Sequence, residues 1–386
     1  MTYLGYSESR LIELDGYWTA REIEQQPESW RRTIEQLVAD AGRIAAFIEP
    51  ILQRRDVRII LTGAGTSAFA GASIAPSLSR LLGRRIEAIA TTDLVSGPDQ
   101  HFHRDLPTLV VSFARSGNSP ESVAAVRLAE AHLGECYQLV LSCNADGELY
   151  RFCNGRTNCL TLLMPEETND RAFAMTSSFT SMLLAAISMF TGIETFALKV
   201  ARLSDTAEKL IRDRNVDIKA LADNDFSRVI YLGSNGFKGL AQEASLKLLE
   251  LTNGRVFTLH ESSLGIRHGP KTVLKEDTLV VIFMSGDSYT RNYDTDLLNE
   301  VIADGQVTKI VALTPEVVFE PQRPELFKIE SAQQYSDLEL LFPYVVFAQI
   351  YAFHHAVRVG NRPDNPNPSG TVNRVVKGVK IHSRTV

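Results

Sequence analysis

Leu109-Val110-Val111-Ser112-Phe113-Ala114-Arg115-Ser116-Gly117-Asn118-Ser119-Pro120-Glu121-Ser122 is the stretch that decides the fold. It opens as an apolar run of the kind found in strands buried inside a parallel sheet. The run breaks into hydroxylated residues around Gly117. A helix then begins, with Ser119 as N-cap, Pro120 at the first helical position and Glu121 in the first turn. A strand feeding a Ser/Gly loop that caps a helix brings free N–H groups, hydroxyls and a helix dipole to one spot, which makes an anion trap. An ordinary strand-to-helix turn has the same outline, so the surrounding sequence has to discriminate.

Short apolar runs at Val57–Leu61, Arg85–Ala90, Leu109–Phe113, Gln138–Ser142 and Cys159–Leu163 alternate with helix-like segments such as Phe69–Leu82 and Pro120–Leu133. This alternation predicts an α/β domain, a parallel five-stranded sheet flanked by helices. A second Gly/Ser-rich loop, Gly63-Ala64-Gly65-Thr66-Ser67-Ala68, follows the first run. Ligands of such sheets bind beyond the carboxyl ends of strands where strand order reverses, so both loops converge on one pocket. Gly65, Thr66, Ser67, Arg115, Ser116, Gly117, Asn118 and Ser119 are its candidate binding residues, with Arg115 adding positive charge. Gly63-x-Gly65-x-x-Ala68, with Glu87 about twenty residues on, also fits a loose dinucleotide fingerprint. Thr66 and Ser67, however, put hydroxyls where a pyrophosphate is approached by bare backbone, and the second loop would have no task. A phosphomonoester held by both loops accounts for more residues.

Between Leu198 and Asp225 the chain turns strongly charged, which reads as a solvated helix crossing between domains with a boundary near residue 205. The pattern then restarts. The strand Arg228–Leu232 leads into Gly233-Ser234-Asn235-Gly236-Phe237-Lys238-Gly239, and Leu279–Met284 leads into Ser285-Gly286-Asp287-Ser288. First loop and second loop are about 50 residues apart in each half, the mark of an internal duplication. The second copy places Asp287 where the first has Asn118, so the first is the better phosphate site. Ahead of both, Trp30, Ile34, Leu37, Ala41, Ile44 and Ile48 recur at helical spacing after a start at Pro27-Glu28-Ser29. The expected division is an N-terminal helical segment (1–44), a first domain (45–204), and a second domain with a C-terminal tail (205–386).

The 386 residues are 44 % hydrophobic and 22 % charged with a net charge of -6, which fits two well-packed domains and argues against nucleic acid as a partner. The N-terminus lacks the apolar core of a signal peptide. Phe173–Phe190 and Leu340–Val359 carry polar residues and read as buried helices, not membrane spans. The four cysteines form no C-x-x-C pair, which suggests reduced thiols in a cytoplasmic protein. His260-Glu261 lacks the remainder of an H-E-x-x-H motif, so no metal and no cofactor is expected. His354 and His355 sit in an apolar helix and read as packing residues.

With both loops and the duplication in view, the chain resembles the sugar isomerase (SIS) domain family, arranged in tandem as in the isomerase half of glucosamine-6-phosphate synthase. Gly65-Thr66-Ser67 and Ser116-Gly117-Asn118-Ser119 look like its phosphate-binding loops, and Thr176 looks like a further substrate contact. Ala244-Ser245-Leu246-Lys247-Leu248-Leu249-Glu250 looks like its catalytic helix, Ile266-Arg267-His268-Gly269-Pro270 like its ring-opening histidine loop, and Asn373–Lys377 like the tail with its active-site lysine. Thr91–Ser96, Ser112–Glu121 and Arg267–Lys271 are similar to the AgaS group, described both as galactosamine-6-phosphate deaminase/isomerases and as tagatose-6-phosphate ketose/aldose isomerases. Unlike the synthase, the chain has no Cys at position 2 to act as a glutaminase nucleophile.

The resemblance implies a hydrolytic deaminase and isomerase of amino sugar metabolism that turns galactosamine-6-phosphate into tagatose-6-phosphate and ammonia. A plain tagatose-6-phosphate isomerase and a non-catalytic sugar-phosphate sensor are the alternatives. Moving a proton between C1 and C2 needs a carboxylate base, here Glu250, and opening the ring needs an acid/base near neutrality, here His268. Leu246, Leu248, Leu249 and Leu251 would desolvate Glu250, Lys247 at i,i+3 would orient it, and Lys377 would assist ring opening or imine chemistry. The family also implies a homodimer in which His268 reaches the partner subunit's site.

Overall fold

Strands built almost wholly of Val, Ile, Leu and Phe have no polar face to show water, so they end up in the middle of helical layers. In the computed structural model, which describes residues 1–315, 325–376 and 378–383, this happens twice. The chain divides into two units. A second-sheet unit holds Met1–Pro27, Arg171–Ala174 and Arg202–Pro368; a first-sheet unit holds Glu28–Asp170, Met175–Ala201 and the described residues from Ser369 on.

The second-sheet unit opens with a two-stranded antiparallel ribbon, β1 (Thr2–Tyr3) and β2 (Tyr6–Ser7). The first-sheet unit contains β3 (Arg58–Thr62), β4 (Ile86–Ala88), β5 (Thr108–Ala114), β6 (Cys136–Ser142) and β7 (Cys159–Leu163). They lie in the order β4-β3-β5-β6-β7, every pair parallel. All seven residues of β5 are buried. Chain direction across the sheet reverses between β3 and β5, so the loops after these two neighbours leave side by side at the switch point. The N-terminal periodicity yields two helices, Gln26–Ala39 and Ala41–Gln53, which part at Asp40. Trp30 is fully buried and donates its Nε1–H to Thr180 Oγ1 at 2.9 Å, fixing its helix to the helix Ser177–Thr191.

The second-sheet unit contains β8 (Arg228–Gly233), β9 (Phe257–Glu261), β10 (Thr278–Phe283), β11 (Lys309–Pro315) and β12 (Leu326–Ile329) in the order β12-β11-β10-β8-β9, again all parallel. Strand for strand this is the order of the first sheet, as the internal repeat predicts. Gly63 and Gly233 make the correspondence atomic. A Cβ on Gly63 would lie 2.5 Å from Ser67 Cβ, and one on Gly233 would lie 2.5 Å from Phe237 Cβ. Both strand-to-helix turns are therefore wound too tightly for any side chain at that position.

The helix Asp337–Arg358 is long and apolar enough to cross a membrane, yet 94 % of its apolar window is buried in the fold. Its His354 bonds Asn215 Oδ1 at 2.7 Å and its His355 bonds the Ala222 carbonyl at 3.0 Å. Both are the packing residues expected, and burial pushes His354 down to about 4.

The polar stretch after residue 198 is part of one helix, Ile193–Ala222, and the units divide between Ala201 and Arg202. The ends of the chain group differently from the sequence expectation. Residues 1–27 belong with the second sheet, where Asp364 accepts the Trp18 and Thr19 amides at 2.9 and 2.7 Å and Gln26 donates to Gln349 at 2.7 Å. The tail beyond Ser369 belongs with the first sheet, not with residues 205–368. Partners hundreds of residues away decide both groupings.

Candidate active site

Gly65 sets the first phosphate-type loop. It sits at φ +55°, ψ -128° before the helix Thr66–Leu82, a backbone that L side chains rarely adopt. The helix consequently starts three residues earlier than its apolar pattern suggests. Thr66 and Ser67 fall in its first turn, nearly buried, with their backbone N–H groups at the positive end of the helix.

The second loop leaves β5. Ser119 is the N-cap of the helix Pro120–His132 with Pro120 in first position, as expected, although its hydroxyl bonds Ser122 Oγ at 2.6 Å and not a backbone amide. Ser116 Oγ accepts the Asn118 amide at 3.2 Å, and Asn118 Oδ1 accepts the Glu148 amide at 2.9 Å, so the loop is held in shape by its own side chains. Gly117, at φ +65°, lies against Gly147, whose Cα would be 3.2 Å from a Cβ there. The Gly117 N–H has no acceptor among the described residues.

Arg115 departs from expectation. It is nearly buried, and its Nη2 donates to the Arg374 carbonyl at 2.8 Å, so it holds the C-terminal tail as well as lending charge to the loop. Arg374 in turn donates to the Asp170 carbonyl and to Asn169 Oδ1. Asp170, which no motif singles out, accepts five hydrogen bonds at the start of the helix Ser177–Thr191. Two come from the amides of Thr176 and Ser178 and three from the hydroxyls of Thr176, Ser177 and Ser178. Thr176 is thus fully buried and fixed by Asp170. Lys377 lies outside the described residues.

The reacting-group candidates belong to the second-sheet unit. On the helix Gly236–Leu251, Glu243, Lys247 and Glu250 fall at i, i+4 and i+7, one face. Lys247 Nζ stands 3.2 Å from Glu243 Oε1 and 3.0 Å from Glu250 Oε2. Lys247 is 1 % exposed and Glu243 0 %, so the Lys247–Glu250 pair is no surface ion pair, while Glu250 keeps 22 % of its side chain open. Burial pulls the Lys247 ammonium down, but the two carboxylates outweigh it and its pKa stands above the ordinary lysine value. The expected desolvation of Glu250 by leucines is not what the fold provides. Leu248 and Leu251 turn into the core, Leu249 is exposed, and the neighbour on the face of Glu250 is Lys247.

His268 ends the short 3₁₀ turn Gly265–Arg267 and is exposed, its ring without a hydrogen-bond partner among the described residues. No hydrogen bond or ion pair joins it to Glu250 among those residues. Its neighbours are tied down: Arg267 Nε donates to Glu300 Oε2 at 2.8 Å and Lys271 pairs with Glu300 and Asp304. No group of three or more potential metal ligands occurs among the described residues.

The SIS domain profile matches residues 51–191, the region of both hydroxyl loops. The chain is 41 % identical to the D-galactosamine-6-phosphate deaminase AgaS of Shewanella sp. strain ANA-3 over 97 % of its own length and 94 % of that protein's. It is 42 % identical to the D-galactosamine-6-phosphate deaminase AgaS of Escherichia coli over 95 % of its length and 96 % of that protein's. The crystal structure of tagatose-6-phosphate ketose/aldose isomerase from Escherichia coli superposes with a TM-score of 0.90 at 37 % identity, all of both chains being covered.

Proposed function

The chain belongs to the SIS domain family, and from that premise we propose that it is an enzyme converting galactosamine-6-phosphate to tagatose-6-phosphate and ammonia. The observation that carries this reading is near-full-length identity above 40 % with two galactosamine-6-phosphate deaminases. The geometry agrees with it. The Gly65–Ser67 and Ser116–Ser119 loops offer amides and hydroxyls to a phosphate monoester. Glu250, partly open and held by the buried Lys247, is a carboxylate kept in one orientation beside an ammonium. His268, both of whose ring nitrogens are without a hydrogen-bond partner among the described residues, is placed to exchange protons with a sugar ring oxygen.

In this scheme His268 passes a proton to the ring oxygen as the pyranose opens to the aldehyde. Glu250 removes the C2 proton and returns one to C1, leaving an imine at C2. Water adds to that imine and ammonia leaves, so galactosamine-6-phosphate plus water gives tagatose-6-phosphate plus ammonia. Lys247 keeps Glu250 aimed through its ion pair at 3.0 Å; Lys377 is assigned to ring opening or imine chemistry.

A second reading, aldose–ketose isomerisation without deamination, draws on the name of the Escherichia coli structure. Separate incubations decide between them. Ammonia release from galactosamine-6-phosphate supports the first; aldose formation from tagatose-6-phosphate without ammonia chemistry supports the second.

The same proposal includes a homodimer in which His268 serves the partner's pocket, supported by an exposed ring with no hydrogen-bond partner among the described residues. Mixing Glu250→Gln with His268→Asn chains tests it, since a mixed dimer would have one pocket with both lesions and one with neither. The four cysteines are free, which supports a reducing, cytoplasmic setting.

A further inference from the structure

The His268 ring has no hydrogen bond among the described residues, so its position is decided by the segment that carries it. One helix, Ser288–Asp304, grips that segment at successive points. Asp294, fully buried, accepts Ser263 Oγ at 2.6 Å. The same carboxylate accepts Ser234 Oγ at 2.7 Å from the loop after β8 and the Ser285 amide at 3.0 Å from the loop after β10. Ile266, also fully buried, packs in the cluster that contains Leu297, Leu298 and Val301 of this helix. Glu300 then takes Arg267 on one side of His268 and Lys271 on the other, and Asp304 takes Lys271 as well. Beyond His268 the backbone is freed by Gly269 at φ +118°. The segment is therefore anchored before, beside and after the histidine, and the ring alone is left loose.

We infer that Asp294 and Glu300 are positioning residues for His268: Asp294 ties the start of its segment to two strand-end loops, and Glu300 brackets it through Arg267 and Lys271. The inference rests on the reading of His268 as the ring-opening group. Neither carboxylate touches substrate in this account. Both act by limiting where one imidazole can stand, and a loosely held catalytic group loses much of its rate.

The experiment is a double-mutant cycle in the full-length protein with galactosamine-6-phosphate. Asp294→Ala should lower kcat by about tenfold or more with KM changed by less than about threefold, and Glu300→Gln should lower kcat by about three- to tenfold. Each should be nearly silent, within about twofold, when added to His268→Asn, because a residue acting through His268 has nothing left to position. Formate, a small carboxylate, should partly restore Asp294→Ala. Losses that multiply with that of His268→Asn, or losses confined to KM, overturn the inference. A His268→Asn chain with full activity overturns instead the assignment of His268 and with it this proposal. If Asp294→Ala fails to fold, the cycle on Glu300→Gln, whose side chain lies at the surface, carries the same decision.

Discussion

The loops after β5 and β10 share a backbone and differ in what satisfies them. In each, the serine hydroxyl accepts the amide two residues on, Ser116 from Asn118 at 3.2 Å and Ser285 from Asp287 at 3.1 Å. In the second copy, Ser285 Oγ and the Gly286 amide both donate to Asp337 at 2.7 Å. In the first, the equivalent Gly117 amide has no acceptor among the described residues, and the matching helix begins with Thr176, Ser177 and Ser178. The carboxylate of Asp337 thus accepts, in the second copy, the amide that the first copy leaves without an acceptor among the described residues. At the first loop of each copy the contrast recurs. Ser67 brings a hydroxyl, whereas Phe237 brings a buried ring packed 5.3 Å from Tyr344. In the first copy the loops keep hydroxyls and an amide without an acceptor among the described residues; in the second a carboxylate and an aromatic ring occupy the matching positions. The proposed function assigns binding to the first copy and reaction, through Lys247 and Glu250, to the second, a separation made without a new fold.

Glu250→Gln tests the reacting half of that separation and should have the largest effect: a fall in kcat on the order of 10²-fold or more, with KM close to unchanged. A near-normal kcat would assign the base elsewhere, Glu243 being next on the same face. Matched serine substitutions probe the two cradles. Ser116→Ala or Ser67→Ala should raise KM by a factor corresponding to about 1–3 kcal/mol, with thermal stability nearly intact. Ser285→Ala should do the reverse, leaving KM alone while lowering unfolding free energy by about 1–2 kcal/mol, because Asp337 loses a donor. Equal KM effects in both copies would erase the distinction.

Asp337 supplies a pH test. Burial first of all, despite the hydrogen bonds from Ser285 and Gly286, holds its pKa above the ordinary aspartate value. A carboxyl raised on folding is protonated more readily in the native state, so its contribution is fully present below the unfolded value of about 4 and is lost as pH rises through the folded value. Urea unfolding of wild type and Asp337→Asn across that window should show the difference between them changing in the variant's favour as pH rises. A constant difference would mean that Asp337 titrates normally. The smallest effect belongs to Asn235, which adopts φ 54°, ψ -121°, the backbone that Gly65 adopts in the first copy. Asn235→Gly relieves that strain and should stabilise the protein by up to about 1 kcal/mol, offset in part by unfolded-state entropy. Calorimetry that found it destabilising would point to a contact made by the Asn side chain.

The sheets were legible because their strands are unbroken apolar runs and because the two halves repeat. Ser119-Pro120 announced its helix by local chemistry, and the pairing of Lys247 with Glu250 follows from helical spacing. What escaped is contact between residues far apart in the chain. Asp337 and Glu339 look like ordinary first-turn acids, and nothing local shows that Asp337 reaches back to Ser285, 52 positions earlier. Asp170 sits in an unremarkable polar turn, although it fixes Thr176. Arg115 reads as a phosphate ligand from its place in the loop, and its bond to Arg374, 259 positions on, is invisible in sequence. Asp294 and Glu300 offered one weak signal, acids on a helix close behind the histidine loop, but acids on helices are commonplace.

The division of the chain into units has a consequence for how it is made. Residues before 28 belong to the second-sheet unit but are synthesised before the first sheet, and the tail after 368 belongs to the first-sheet unit but is synthesised after the second. Each unit thus waits for a segment delivered out of turn. The strands of the first sheet are all made by Leu163, yet Arg115 meets the carbonyl of Arg374 only after the whole second sheet has been synthesised. Domain-by-domain folding during synthesis is the ordinary route for chains of this size. Here the route closes late, and a ribosome stalled short of residue 374 would hold a first sheet whose loop after β5 has its hydroxyls in place but its arginine still unanchored.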